Sequence, residues 1–226
     1  SSPATAAALF RHAAAAQDPE RCHLIQALLE PDQPRTREGL LAAGFEELAV
    51  LAYMRARAMV RPHELDVSGL TPADAEPIRT LRWSETNRPA FERAILASYE
   101  QTQDCPGLLG RRRIEDILAG HMAAGLFRPD LWSALYAGDE PVGVMLLNDV
   151  PASDALELVY LGLAVPWRGR GLARRLVRHG LGQATRCDRS RMILAVDESN
   201  APALHLYRDL GFRSTGRKRA MIYTPA

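Results

Sequence analysis

The spacing of apolar and polar positions predicts an alternation of helices and strands over most of the chain. Its first part reads as a helix, a strand, a helix and a strand, over residues 4–16, 23–29, 35–43 and 48–55. Apolar residues at helical spacing that are followed by glycine, as at Gly44, are typical of a helix that ends just before a strand. Three prolines and a glycine within residues 61–77 then predict a linker.

The rest of the chain is predicted to form one mixed sheet with helices. Its pattern gives a strand, two helices and a hairpin, followed by strand, helix, strand, helix and strand. Strands are expected at 78–83, 132–136, 142–147, 156–165, 192–196 and 218–223, and helices at 89–103, 114–122, 171–185 and 201–210. The predicted fold class is α/β, with a mixed central β-sheet flanked by helices and a small N-terminal αβ half-domain packed on it.

One internal repeat connects the two parts of the chain. Residues 26–45 align without gaps with residues 193–212. Both segments predict a strand, a turn, a helix, a Gly-Phe pair and a second strand. We interpret residues 1–60 as a degenerate half-domain, residues 61–77 as a linker and residues 78–226 as the main domain. Chance similarity of two αβ units is the alternative, because glycine often ends a helix before an apolar residue.

Composition narrows the class of protein. The 226-residue chain is 47% hydrophobic and 24% charged, which is ordinary for a globular protein and argues against a disordered or fibrous one. No apolar stretch is long enough to span a bilayer, and the Ala-rich start suits an amphipathic helix better than a signal peptide. We therefore expect a cytoplasmic protein without a membrane partner. The three cysteines are far apart and the histidines lack metal-ligand spacing, so neither disulfides nor a metal site is expected.

Charge is nearly balanced overall, at +1, but the stretch from Arg168 to Arg219 is strongly basic. Its densest part surrounds Gly169 and Gly171, between a predicted apolar strand and a predicted amphipathic helix. A glycine-rich turn in this place lets backbone N–H groups converge on an anion at the positive end of the helix dipole. The pattern predicts a pyrophosphate site. A tight turn with a solvated basic helix face is the alternative.

These residues resemble the donor-binding loop of the GNAT superfamily of N-acetyltransferases. The family pattern is glutamine or arginine, two variable residues, glycine, one variable residue, and glycine or alanine, which residues 168–173 satisfy. A second family block is matched by residues 195–212. Members usually have proline three residues before the loop arginine, whereas this chain has Val165 there. The resemblance implies a GNAT-like sheet, acetyl-CoA as acyl donor, and donor contacts from Leu163, Ala164, Val165, Arg168, Gly169, Arg170, Gly171, Leu172, Ala173, Arg174, Asn200 and Tyr207.

Two catalytic residues follow from the same resemblance. Glu157, an acid within an otherwise apolar strand, is expected to remove a proton from the acceptor, because only the free amine attacks a thioester. Burial would raise its pKa towards a useful range. Tyr207 is expected to protonate the departing CoA thiolate, since a phenol keeps its proton until the thiolate forms. The alternatives are a salt-bridged glutamate and a core tyrosine.

The amine acceptor, a small molecule or a peptide, is expected at the connection between the early helices, at Tyr99, Asp104 and Cys105. The arginines at 111–113 would suit an anionic acceptor or would be solvated. Cys105 has no adjacent histidine or base, so direct attack in a ternary complex is expected, without a covalent enzyme intermediate. The competing functions are a non-catalytic acyl-CoA-binding or sensor module and a nucleic-acid-binding module, which lacks any base-reading pattern beside the arginines. A homodimer is one possible assembly.

Overall fold

The computed structural model describes residues 3–18, 22–58, 65 and 76–225. The helices are α1 (Pro3–Ala15), α2 (Pro34–Ala42), α3 (Arg88–Tyr99), α4 (Ile114–Ala123), α5 (Leu172–Arg186) and α6 (Ala201–Asp209). The strands are β1 (Ile25–Leu29), β2 (Glu46–Arg57), β3 (Ile78–Arg82), β4 (Ser133–Ala137), β5 (Glu140–Val150), β6 (Ala155–Leu163), β7 (Arg191–Asp197) and β8 (Arg213–Tyr223). Every predicted helix and strand is present in the predicted order, although the ends of several of them differ from the prediction.

Helix α3 ends before the predicted residue 103. Its last residue is Tyr99, and Gln101 has a positive φ of 51°. The guanidinium of Arg168 donates hydrogen bonds to the carbonyl oxygens of Ser98, Glu100 and Gln101, at 3.0, 2.6 and 3.1 Å. The carbonyls of a last helical turn lack intrahelical partners. A residue distant in sequence therefore stabilises this helix end.

Two strands also differ from the prediction. β6 ends at Leu163 rather than at residue 165, because Pro166 cannot donate a hydrogen bond to a neighbouring strand and Val165–Trp167 form a 3₁₀ turn. Val165, expected in the strand that holds the donor, lies in this turn. β8 begins at Arg213 rather than at residue 218. The sequence pattern missed its first half because these residues are exposed and polar and lack apolar alternation.

The eight strands in the described part of the chain join one sheet in the order β1-β8-β2-β7-β6-β5-β4-β3. Only the β6–β7 pair is parallel, and the other neighbours are antiparallel. β1 lies at an edge and β2 lies between β7 and β8. The N-terminal strands are thus joined to the main sheet by backbone hydrogen bonds. The predicted linker falls outside the described residues except for Leu65, Glu76 and Pro77, so the division into residues 1–60 and 78–226 stays a prediction.

The strand register agrees with the internal repeat. When each residue is replaced by its counterpart in the other copy, the pair Ile25–Tyr223 of β1 and β8 becomes the pair Met192–Ala56 of β7 and β2. Both pairs are present in the sheet. The β2–β8 ladder has two register shifts, one on each strand, and the same replacement converts each of them into the other. An approximate two-fold axis therefore passes through the β2–β8 pair, which supports the interpretation as a half-repeat.

Helices cover both faces of the sheet. α5 and α6 pack on one face, where Leu176, Val177 and Leu204 belong to the larger core cluster. α3 and α4 pack on the other face, in a second cluster that contains Phe91 and Trp132. We call these the α5 face and the α3 face. None of the helices in the described part of the chain has the length and apolar character that crossing a bilayer requires.

Candidate active site

Strands β6 and β7 pair over only a short part of their length. Residues 155–157 of β6 face residues 191–193 of β7, and among the described residues no pairing between these strands follows, although both continue. A bulge in the β5–β6 ladder lies beside Val159, where the strands begin to diverge. Bulges bend a strand and increase its twist. The divergence leaves a gap in the sheet, which we call the β6–β7 gap, and the backbone groups along its sides are open to an extended ligand.

The end of β6 offers one backbone donor to this gap. The N–H of Ala164 donates to the carbonyl of Val142 in β5, at 3.0 Å. Successive residues of an extended strand direct their N–H groups to opposite sides, so the N–H of Leu163 is directed into the gap. Of the three residues expected to hold the donor here, only Leu163 thus presents its N–H to the gap. Ala164 uses its N–H within the sheet, and Val165 lies in the following turn.

The loop at residues 168–171 presents backbone N–H groups at the start of α5. Gly169 and Gly171 have φ values of 73° and 83°, which side chains disfavour. A Cβ on either glycine would meet no atom within 4 Å, so the backbone is accessible. Gly171 is the N-cap of α5 and provides no side-chain cap, and the N–H groups of residues 172–174 lack intrahelical acceptors. Together with the helix dipole, these groups form an anion-binding site that fits a pyrophosphate.

The three loop arginines expected to bind the donor have protein partners. Arg168 caps the C-terminal end of α3, and its Nε also donates to the carbonyl of Leu163 at 2.9 Å. The Nε of Arg170 donates to the carbonyl of Pro166 at 2.9 Å. Arg174 forms a salt bridge of 2.7 Å with an aspartate of α6. In this arrangement the arginine side chains bind other parts of the protein, while the backbone at the two loop glycines stays accessible.

Helix α6 holds two further predicted donor-binding residues. Asn200 is its N-cap, and its Oδ1 accepts a hydrogen bond from the N–H of Ala203 at 3.2 Å. The side chain of Tyr207 is 7% exposed and packs against Phe212. Burial raises the pKa of Tyr207, and the charge of Asp104 raises it further. The phenol is therefore protonated at neutral pH and able to donate.

Glu157 lies on the opposite face of the sheet from Tyr207. Leu156 and Leu158 belong to the cluster on the α5 face together with Tyr207, so Glu157, between them in the strand, points to the α3 face. There it lines a cleft of about 370 Å³ with Tyr53 and other residues of β2 and β7. Burial raises the pKa of Glu157. The β6–β7 gap begins directly after Glu157 and connects the two faces.

The three residues expected at the acceptor line one small pocket on the α3 face. The pocket has a volume of about 130 Å³ and lies between the α3–α4 connection, α4 and β6. It is lined by Tyr99, Thr102, Asp104, Cys105, Leu108, Leu109, Arg112, His121, Val159 and Tyr160. The sequence holds no local signal for His121 or Tyr160, because only the packing of α4 against β6 brings them together. We call this the α3–α4 pocket.

Reciprocal hydrogen bonds attach this pocket to the end of β7. The N–H of Asp197 donates to Asp104 Oδ1 and the N–H of Cys105 donates to Asp197 Oδ2, each at 3.1 Å. Burial and the neighbouring Asp197 carboxylate raise the pKa of Asp104. Burial raises the pKa of the Cys105 thiol to about 12, so this thiol is neutral and a poor nucleophile. Within the described ranges no cluster of three or more His, Cys, Asp and Glu side chains is suited to a metal.

Comparison with known proteins assigns the chain to a family. The model of the Acetyltransferase (GNAT) family matches residues 80–212. Peptidyl-lysine N-acetyltransferase YjaB of Salmonella typhimurium is 30% identical over 122 residues, which are 53% of this chain and 72% of that protein. Mycothiol acetyltransferase of Corynebacterium efficiens is 39% identical over 90 residues, 39% of this chain and 29% of that protein. A GNAT-family structure from Novosphingobium aromaticivorans has the same fold, with a TM-score of 0.60 at 20% identity over 96% of this chain and 80% of that one. The chain therefore belongs to the GNAT family and is an N-acetyltransferase that takes its acetyl group from acetyl-CoA.

Proposed function

We propose that the acetyl group passes directly from acetyl-CoA to an amine while both substrates are bound. The observation that carries this proposal is the β6–β7 gap. The glycine loop begins α5 on one face of the sheet, and the α3–α4 pocket and the Glu157 cleft lie on the other face. A donor held at the loop and threaded through the gap meets an acceptor that enters from the α3 face.

Backbone groups hold the donor in this proposal. The N–H groups of residues 169–174 bind the pyrophosphate, and the N–H of Leu163 binds the extended arm within the gap. Asn200 adds its side-chain Nδ2, because its Oδ1 already caps α6. Arg168, Arg170 and Arg174 act on the donor indirectly, by ordering the loop.

Two side chains move the protons of the reaction. The amine nitrogen attacks the thioester carbonyl carbon, the carbon–sulfur bond breaks, and the proton lost by the nitrogen passes to Glu157, directly or through a water. Tyr207 then gives its proton to the thiolate of CoA. The raised pKa of Glu157 makes it a stronger base than an exposed carboxylate, and burial keeps Tyr207 protonated until the thiolate forms. The neutral Cys105 takes no part as a nucleophile.

The acceptor is an amine of a small molecule or a peptide. YjaB is named for peptidyl-lysine, and the Corynebacterium relative is named for mycothiol, so the relatives' names do not agree on one acceptor. The residues that line the α3–α4 pocket are better evidence for the acceptor of this chain. A homodimer stays a prediction.

The role of Glu157 is tested by the pH dependence of turnover. Below the raised pKa of Glu157 the carboxylate is protonated, so the parent rate should fall as the pH falls through that pKa. Glu157→Gln should lower turnover most near neutral pH, by about 10²- to 10⁴-fold, and raising the pH should partly restore it because more of the acceptor is then deprotonated. Glu140→Gln, at an exposed glutamate of β5, is the matched control. A Glu157→Gln rate close to that of the parent would show that another group takes the proton.

The role of Tyr207 is tested by removing only its hydroxyl. Tyr207→Phe should reduce turnover with little change in acetyl-CoA affinity, because the ring still fills its place against Phe212. The expected loss is again about 10²- to 10⁴-fold. Full activity of Tyr207→Phe would assign thiolate protonation to solvent, and inactivity of the parent towards every amine tested would refute the proposed transfer.

A further inference from the structure

Arg112 differs from the two arginines beside it. Arg111 forms a salt bridge of 2.8 Å with Glu46, and Arg113 forms one of 3.4 Å with Asp116. The guanidinium of Arg112 interacts with the hydroxyl of Tyr99, but the described part of the chain offers it no acidic partner, and its Nε is buried without a hydrogen-bond partner. A buried donor left without a partner costs folding free energy. A cation placed in this way is suited to bind an anionic ligand.

His121 presents a second unpartnered polar atom in the same pocket. Its Nε2 is buried without a hydrogen-bond partner, and its ring stacks on Tyr160 with the ring centres 5.3 Å apart. Burial, with the nearby charge of Arg112, lowers the pKa of His121 to about 4. The imidazole is therefore neutral near pH 7, and its unpartnered nitrogen serves as a hydrogen-bonding group beside the guanidinium. With the ring proton on Nε2, His121 and the guanidinium are two donors that match the two acceptor oxygens of a carboxylate.

The α3–α4 pocket also contains an acidic side chain, that of Asp104. The charge of Arg112 acts on Tyr99, Cys105 and His121. The charge of Asp104 acts on Tyr99 and Cys105 as well, and also on Tyr207. Asp104 accepts a hydrogen bond from the end of β7, which forms one side of the β6–β7 gap, whereas Arg112 lines the pocket together with His121.

We infer that the acceptor is an amino carboxylate, a small amine that also carries a carboxylate group. Its carboxylate binds Arg112 and His121, and its amine lies at Asp104, next to the β6–β7 gap. The volume of about 130 Å³ limits the part held in the pocket to a short chain. This inference rests on the proposed transfer and names the acceptor class for the same site.

The test compares amines that differ only in the carboxylate. Glycine, β-alanine and γ-aminobutyrate are measured against methylamine, ethylamine and propylamine, with acetyl-CoA-dependent release of thiol as the readout and each amine at a matched concentration of free base. The parent should prefer the carboxylates in kcat/KM. Arg112→Gln should raise KM for the carboxylates by roughly 10- to 100-fold, as expected for a lost charge-assisted hydrogen bond, and leave the plain amines unchanged.

Two further variants separate this role from a structural one. Arg113→Gln removes a neighbouring exposed arginine and should behave as the parent, whereas Arg112→Lys keeps the charge and should restore part of the preference. Acetyl-CoA affinity and the midpoint of thermal unfolding confirm that each variant is folded. Equal use of both series by the parent, or an equal loss for both series in Arg112→Gln, would overturn this inference and leave the proposed transfer standing. If the parent binds acetyl-CoA but acetylates no amine in either series, this inference fails, because the acceptor class it names is then wrong.

Discussion

Gly171, the N-cap of α5, combines a positive φ of 83° with open space beside its Cα. The open space lets a phosphate approach the backbone, and the turn requires the positive φ. Asparagine and aspartate have nearly the same size and both tolerate left-handed backbone better than most residues, but only aspartate carries a negative charge.

Gly171→Asp should therefore abolish CoA binding while the protein stays folded. Its carboxylate lies where the pyrophosphate approaches and repels it. Gly171→Asn is the matched control and should retain most of the affinity, since it adds the same bulk without the charge. Calorimetric titration with CoA checks both variants. Parent-like affinity of a folded Gly171→Asp would place the pyrophosphate elsewhere.

At the scale of helices and strands, Arg168 links three parts of the site. It begins the glycine loop, and its guanidinium binds carbonyl oxygens at the ends of β6 and α3. The family resemblance places this residue among the donor contacts. The structure gives its side chain a helix-capping role, which orients the α3–α4 connection towards the gap.

Arg168→Gln should lower stability more than it lowers donor affinity. Loss of charge-assisted hydrogen bonds to several carbonyl oxygens is expected to reduce the free energy of unfolding by roughly 2 kcal/mol. Arg170→Gln, which removes one hydrogen bond and a cation–π contact of an exposed loop arginine, should cost clearly less. Thermal unfolding measures the loss and calorimetry measures CoA affinity. A large fall in CoA affinity at unchanged stability would mean that Arg168 binds phosphate itself.

At the scale of the whole molecule, the N-terminal strands are part of the catalytic sheet. The family match covers residues 80–212 and therefore excludes β1 and β2. Yet β2 is hydrogen-bonded to both β7 and β8, and β7 forms one side of the β6–β7 gap. The sheet that carries the site depends on a segment outside the family match.

A chain that begins at residue 76 should therefore fail to fold cooperatively. Without β2, the strands β7 and β8 lose their shared neighbour and leave unpaired edges in the centre of the sheet. Co-expression with a separate fragment of residues 1–58 should restore a folded complex that binds CoA. Circular dichroism, thermal unfolding and CoA titration check this expectation. A stable residue 76–226 fragment with parent-like CoA affinity would contradict it.

The sequence alone was enough to predict the order of helices and strands and the position of the glycine loop. Apolar periodicity reports which face of an element is buried, and this is a local property of helices such as α5. The requirement for glycine at positive φ is local as well. The repeat also anticipated a relation that the register of β1, β2, β7 and β8 supports.

The partners of the site residues were decided by the tertiary structure. The β6–β7 gap depends on where two strands stop pairing, and Tyr207 lies on the face opposite Glu157 because α6 packs in the core cluster that contains Leu156 and Leu158. Arg168 finds its acceptors on a helix far away in the sequence, and His121 meets Arg112 only when α4 packs against β6. A short window of sequence encodes the periodicity of an element but not its neighbours, because non-local packing determines which polar groups are buried together.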